Sequence, residues 1–318
     1  MSDAPAPHRP VHTISVVIET HNEASAPDVS LRDVLRGLAR QTWPADRLEI
    51  LVVVARGDAS FSSLPARHPN LRIVESDVPT YYGMKCAGID AARGDAIAVL
   101  DSDTEPVPGW AESFARRIEA GADAVAGKTR YPKGTPFART FDFFNFGYIQ
   151  GDARGAANGF LPNNVGFRRE VILEHPFDIR LRRSGAAHLL GHKLIALGYR
   201  VEYEPAMHVI HNSYGVVEEM RMRVKSGYDC VNLARFDEEE VIGESRYLRR
   251  TPLLLAAVFW RRVAFDVRAA LWNREDLGIS WLHVPWFLAI SPLIRGLELG
   301  AGLLTLARPD YFPKRYGW

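Results

Sequence analysis

The sequence predicts an α/β protein: a mostly parallel sheet in its first part, a mixed sheet after it, and a helical, apolar C-terminal extension. Three observations carry this. Short, β-branched and nearly continuous apolar runs recur at "TISVVIET" (13–20), "LEILVVV" (48–54), "LRIVES" (71–76) and "AIAVL" (96–100), as strands covered on both faces require. Helical segments fall between them, which makes neighbouring strands parallel. From about Phe236 the texture changes to an acidic run (Asp237 to Glu240) and then two apolar blocks, "PLLLAAVFW" and "WLHVPWFLAISPLI".

Taken in order, residues 1–12 are polar and Pro-rich, with no apolar core of a signal sequence, and read as a flexible leader. In "SLRDVLRGLARQ" Leu31, Val34, Leu35 and Leu38 share one helical face, with Ser30 as its N-cap. "YGMKCAGIDAARGD" is a second helix, stopped by Gly94. "GADAVAGKTRY", "NGFLPNNVGFR" and "YRVEYEPAMHVIH" are strands of the mixed part, with helices near 137–148 and 189–197. The division expected is leader 1–12, catalytic domain 13–235 and helical extension 236–318.

Composition excludes some partners. Lys plus Arg number 39 against 38 Asp plus Glu, a net charge of +1, which leaves no electrostatic footprint for nucleic acid. Cys86 and Cys230 have neither a disulfide framework nor metal-ligand spacing, as fits a reducing, cytoplasmic compartment.

The chemistry gathers at "AIAVLDSDTEP". Ligand sites in such sheets lie outside the carboxyl ends of the strands, where Asp101 and Asp103 stand. Two residues apart on extended chain, they face the same way. Carboxylates that close repel unless a cation lies between them, and Mg²⁺ or Mn²⁺ suits such oxygens. The other reading is an Asx-turn with solvated carboxylates.

"ISVVIETHNE", "GMKCAGIDAARGDAIAVLDSDTEPVPGW", "NNVGFRREVI" and "LGYRVEYEPAMHVIH" follow one another in this order. Together they resemble the family-2 glycosyltransferases of GT-A (Rossmann-like) fold, across residues 14–211. The resemblance implies transfer of a sugar from a nucleotide-sugar donor, with inversion and a divalent metal. It maps the nucleotide cradle onto Thr20, His21, Asn22 and Glu23. Lys85 falls where a basic residue meets the base or diphosphate, the alternative being a solvated helix lysine. Asp101 would lie near ribose or metal, Asp103 on the metal, and His211 would complete the metal shell; Asn163 and Asn164 would line the donor-sugar and acceptor pocket.

Two departures follow. Val54 and Ala55 stand where acids usually read the base, and Asp58 substitutes only in a remodelled loop. The acidic pair that supplies the general base falls on Ala186 and Ala187. His188, next along, is a candidate catalytic base or a helix-packing residue. The missing pair keeps open an inactive nucleotide-sugar-binding homologue. A nucleotidyltransferase ranks below it, because no Gly-rich, Arg/Lys-bearing phosphate loop follows the first strand. The acceptor (glycan, lipid-linked or small molecule), the sugar and the base are not specified.

The tail from Leu277 to Ile294 is uncharged over eighteen residues, but Pro285 and Pro292 interrupt it. That is short and broken for a membrane span. With Trp281, Trp286, Arg261 and Arg262 it suits a segment lying on the cytoplasmic face of a membrane; the alternative is a helical subdomain packed on protein.

Overall fold

The computed structural model describes residues 10–25, 31–64, 70–132, 136–181, 185–212, 215–236, 252–272, 274 and 279–316. They fall into two compact units, Met1–Pro132 with Tyr148–Asn212, and Lys133–Gly147 with Ser213–Trp318. Residues 213–235, expected with the catalytic domain, thus group with the later helices, as does the insert 133–147. The Ser30 cap and the acidic run 237–240 lie outside the described residues.

The first unit is built on one eight-stranded sheet. Its strands are β1 (Ile14–Glu19), β2 (Leu48–Ala55), β3 (Leu71–Ser76), β4 (Ala96–Asp101), β5 (Thr104–Pro106), β6 (Ala124–Arg130), β7 (Asn164–Arg168) and β8 (Val201–His211), in spatial order β3-β2-β1-β4-β7-β6-β8-β5. β3, β2, β1 and β4 run parallel, while β7 is antiparallel to both β4 and β6. The predicted mostly parallel sheet with a mixed second half is therefore present. Every residue of β1 and β4 is buried, which is why these runs carry no polar alternation.

The helices of this unit are α1 (His21–Ser25), α2 (Leu31–Ala39), α3 (Tyr81–Ala91), α4 (Trp110–Glu119), α6 (Arg169–Glu174) and α7 (Ala186–Ala196), with α5 (Pro136–Asp142) lying in the insert. Leu31, Val34, Leu35 and Leu38 of α2 are buried in one core with β1, β2, β4 and the Trp110–Phe114 turn of α4. Gly94 does not stop α3, which ends at Ala91 with Ala92 as its cap. Gly94 instead lies against β1: its amide donates to Ser15 Oγ at 2.8 Å, and a Cβ there would come within 2.7 Å of the Ser15 nitrogen.

The second unit is helical. After α5 a π-helical turn, Phe143–Gly147, follows, and then α8 (Val216–Phe236), α9 (Pro252–Trp272), α10 (Val284–Ala307) and α11 (Tyr311–Tyr316). α10 runs unbroken through Pro292 for 24 residues. The expectation that Pro292 interrupts this segment is thereby corrected; the helix reaches the length and apolarity of a membrane span by composition alone, as core helices of soluble proteins also do, and it carries the buried Arg295 and Glu298. Proline removes one backbone donor, but the helix is held by packing and by buried charge. Arg295 bonds Asp266 and Glu298, each at 2.8 Å, and Glu298 also meets Arg223 and Arg262 at 3.3 and 3.0 Å. Such charges are tolerated inside because each is paired.

Candidate active site

β1 and β4 run in parallel register, Glu19 beside Asp101, so two acidic side chains leave the sheet together. The chain turns immediately after Asp101. Thr104 Oγ1 donates to the Asp101 carbonyl at 2.8 Å, and Asn212 donates its amide to the Asp103 carbonyl at 2.9 Å. β5 then pairs antiparallel with β8, Thr104 opposite His211. This long-range pairing puts His211 Nε2 3.4 Å from Asp103 Oδ1. Asp101, Asp103 and His211 are all buried, and each offers one ligand atom within 4.8 Å of the others.

The imidazole is oriented for that position. His211 Nδ1 lies 2.7 Å from the carbonyl of Asn212; a carbonyl only accepts, so Nδ1 carries the hydrogen and Nε2 keeps its lone pair in the neutral ring. Tyr131 packs edge-on against the same ring at 6.0 Å. Two carboxylates and one neutral imidazole suit a divalent ion such as Mn²⁺ or Mg²⁺.

Asp101 is braced from α3. Tyr81 Oη and Lys85 Nζ each donate to its Oδ1 at 2.6 Å. Lys85 Nζ also donates to the Leu100 carbonyl at 3.3 Å and lies 4.3 Å from the Tyr81 ring centroid. Lys85 is fully buried, which answers the solvated-lysine alternative: its ammonium is spent inside the protein on Asp101. Burial, then the Asp101 charge, pushes the Tyr81 phenol well above its ordinary value, so it remains a donor.

The turn after β1 is organised by Glu19, whose Oε2 accepts the amides of His21 (2.5 Å) and Asn22 (3.2 Å). Burial, opposed by Lys85 and reinforced by Asp101 and Asp103, pushes the Glu19 carboxyl up to about 8. Thr20 turns inward, its Oγ1 donating to the Val53 carbonyl at 2.9 Å. Asn22 is buried and Glu23 half-buried, with Glu23 Oε1 accepting the amide of Leu31. Burial raises the Glu23 carboxyl too, against the Leu31 bond, with Asp103 adding to the rise.

Of the other expected site residues, Asn164 stands opposite Leu100, one residue before Asp101. Asn164 is fully buried: it donates to the carbonyls of Lys128 (3.0 Å) and Met207 (2.9 Å) and accepts from Trp110 Nε1 (2.8 Å). Asn163 Oδ1 accepts from Thr129 at 3.2 Å. Asp58 caps its own loop through the Ser60 amide at 2.9 Å. Ala186 and Ala187 form the buried start of α7, and the Ala187 amide donates to Tyr82 Oη at 3.3 Å. His188 lies on the exposed side of that helix, facing His192. His208 is driven down to about 4 by burial and by Lys128 and Arg130.

Two residues escaped the sequence reading. Glu19 had a signal, a charged residue ending an otherwise apolar strand as Asp101 does. Tyr81 had a weaker one, standing four before Lys85 and so on the same helical face.

A model of Glycosyl transferase family 2 matches residues 15–175. A relative from Haloferax volcanii, glucosyl-dolichyl phosphate glucuronosyltransferase, is 25% identical over 242 residues, 70% of this chain and 74% of its own. Among solved structures, the mannosyltransferase PcManGT from Pyrobaculum calidifontis, in complex with GDP-Man and Mn²⁺, is similar with a TM-score of 0.61. That match has 18% identity over 95% of this chain and 89% of that one. TarS 1–349 of S. aureus is similar with a TM-score of 0.50 at 13% identity, over 96% and 92% of the two chains. At these identities the structures speak for the fold, which is that of GT-A glycosyltransferases.

Proposed function

The chain belongs to glycosyl transferase family 2 and is a glycosyltransferase, and from that premise we propose that it takes its sugar from a nucleotide-activated donor with the help of a divalent ion, inverting the anomeric centre. One observation carries this reading: the buried Asp101–Asp103–His211 group at the carboxyl end of β4. These three side chains would hold the ion. Its chemistry, when bound, is to offset the charge that develops on the departing nucleoside diphosphate. The chain's own part is positional. Tyr81 and Lys85 fix Asp101, the Asn212 carbonyl fixes the His211 tautomer, and Glu19 holds the His21–Asn22 turn against which the nucleotide would lie. Mn²⁺ and GDP-Man in the PcManGT complex support this assignment.

On the acceptor side, the start of α7 carries Ala186 and Ala187 in place of an acid. His188 would then serve as base for a hydroxyl acceptor, whereas a phosphate acceptor, already ionised, needs none.

The second unit supports attachment to a membrane surface. Trp260, Trp272, Trp281, Leu282 and Leu293 are exposed on it, side chains of the kind that enter the headgroup boundary, and α10 is apolar over most of its length. The relative that acts on glucosyl-dolichyl phosphate, by its name, favours a lipid-linked acceptor.

The deciding experiment is a thermal-shift panel of nucleoside diphosphates with and without Mn²⁺, since a bound ligand raises stability by linkage. Asp103→Ala should melt cooperatively and lose the Mn²⁺-dependent gain; an undiminished gain would refute the metal assignment. Full-length protein should also sediment with anionic liposomes, and protein left in the supernatant would make the apolar helices packing elements only.

A further inference from the structure

Beside His188, α7 carries a second histidine, His192, that the proposed reaction does not use. His188 and His192 stand four residues apart, so they lie one above the other on one helical face. Their Nε2 atoms are 3.1 Å apart, with ring centroids 4.3 Å apart and planes at 80°. His188 is exposed and His192 half-buried, so solvent reaches the pair.

We propose that His188 and His192 form a two-imidazole clamp for a first-row transition-metal ion, distinct from the Asp101–Asp103–His211 group. Imidazole nitrogens sit about 2.0–2.1 Å from such a metal. At octahedral to tetrahedral angles, two nitrogens at that distance stand roughly 2.9–3.4 Å from each other, and the observed separation falls within this window. Two imidazolium rings so close repel, while between neutral rings one Nε2–H donates to the other Nε2; a metal would replace this bond once the donating ring carries its hydrogen on Nδ1, leaving two nitrogen ligands on one helical turn. The exposed side leaves the other coordination positions to water.

The selectivity expected is the reverse of the acidic group's. Two nitrogen donors follow the order in which Ni²⁺, Cu²⁺ and Zn²⁺ bind above Mn²⁺, whereas carboxylate-rich sets suit Mn²⁺ and Mg²⁺. Zn²⁺ should thus occupy the clamp without displacement by Mn²⁺. Its place also matters: the Ala187 amide, one residue before His188, bonds Tyr82, whose neighbour Tyr81 holds Asp101.

The test is calorimetric titration of untagged full-length protein with Zn²⁺ in excess Mn²⁺. The expected result is a Zn²⁺ event present in the wild type and in Asp103→Ala. It should weaken roughly 10²-fold in His192→Ala and in His188→Ala, because the second imidazole acts as an intramolecular ligand. Circular dichroism checks that the variants fold, and His192→Gln replaces any that does not. Equal Zn²⁺ affinity in wild type and histidine variants, or no Zn²⁺ event that survives Asp103→Ala, overturns the proposal. The readout is binding alone, so it stands or falls separately from the donor and metal assignment above.

Discussion

Replacing Lys85 by methionine isolates the buried ion pair beneath the site. The substitution keeps the length of the stem and removes the ammonium that donates to Asp101 Oδ1 at 2.6 Å. Lys85 has no exposed surface and the Asp101 side chain only 8%, so water cannot take the ammonium's place. Tyr81 then remains the one described side-chain donor to this carboxylate. Removing one partner of a buried pair costs about 3–5 kcal/mol, because the survivor stays charged and unmatched. For a domain of this size each kcal/mol lowers the melting temperature by roughly 2–4 °C, giving a fall on the order of 10 °C in EDTA. Two further melts test the cause. Lys85→Met with Asp101→Asn should recover much of the loss, since neither charge is then left alone. Mn²⁺ should raise the melting temperature of Lys85→Met more than that of the wild type, because a cation on Asp101 replaces the missing one. A single variant melting within about 2 °C of wild type, or a double variant no better than the single, would refute this account of the pair.

Two other outcomes can be measured in the same way. Glu19 is pushed up from 4.5 to about 8, chiefly by burial, so the folded protein keeps a proton that the unfolded chain releases. The metal-free protein should therefore lose stability as pH rises across that interval; Glu19→Gln, whose amide oxygen still accepts from His21 and Asn22, should flatten the profile, and equal slopes would remove Glu19 as its source. Gly166→Ala would place a Cβ 2.1 Å from the Phe114 ring and should cost about 1–3 kcal/mol in denaturant titration; an unaffected midpoint would contradict the packing of α4 on β7.

Sequence alone determined the strand cores and the place of the acidic pair. The runs at 14–19 and 96–101 are buried throughout and 48–55 nearly so, and that burial is written locally as near-continuous apolar residues; the run at 71–76, expected to be covered on both faces as well, is the edge strand, and Arg72 to Glu75 are partly or fully exposed. Asp101 and Asp103 were legible because a carboxylate after such a run has no packing reason to be there. His211 was legible through the family resemblance alone, since nothing local distinguishes it from His208; the β5–β8 pairing brings one to Asp103, while burial and two cations keep the other neutral. The tertiary structure also decided what the polar residues do. The sequence offered Lys85 and Asn164 as ligand-facing groups and showed none of their protein partners: the structure pairs Lys85 with Asp101 and joins Asn164 to Trp110 and the carbonyls of Lys128 and Met207. A side chain's partner depends on which distant strand or helix stands beside it, and hydrogen bonding across such separations leaves no periodic trace in the chain.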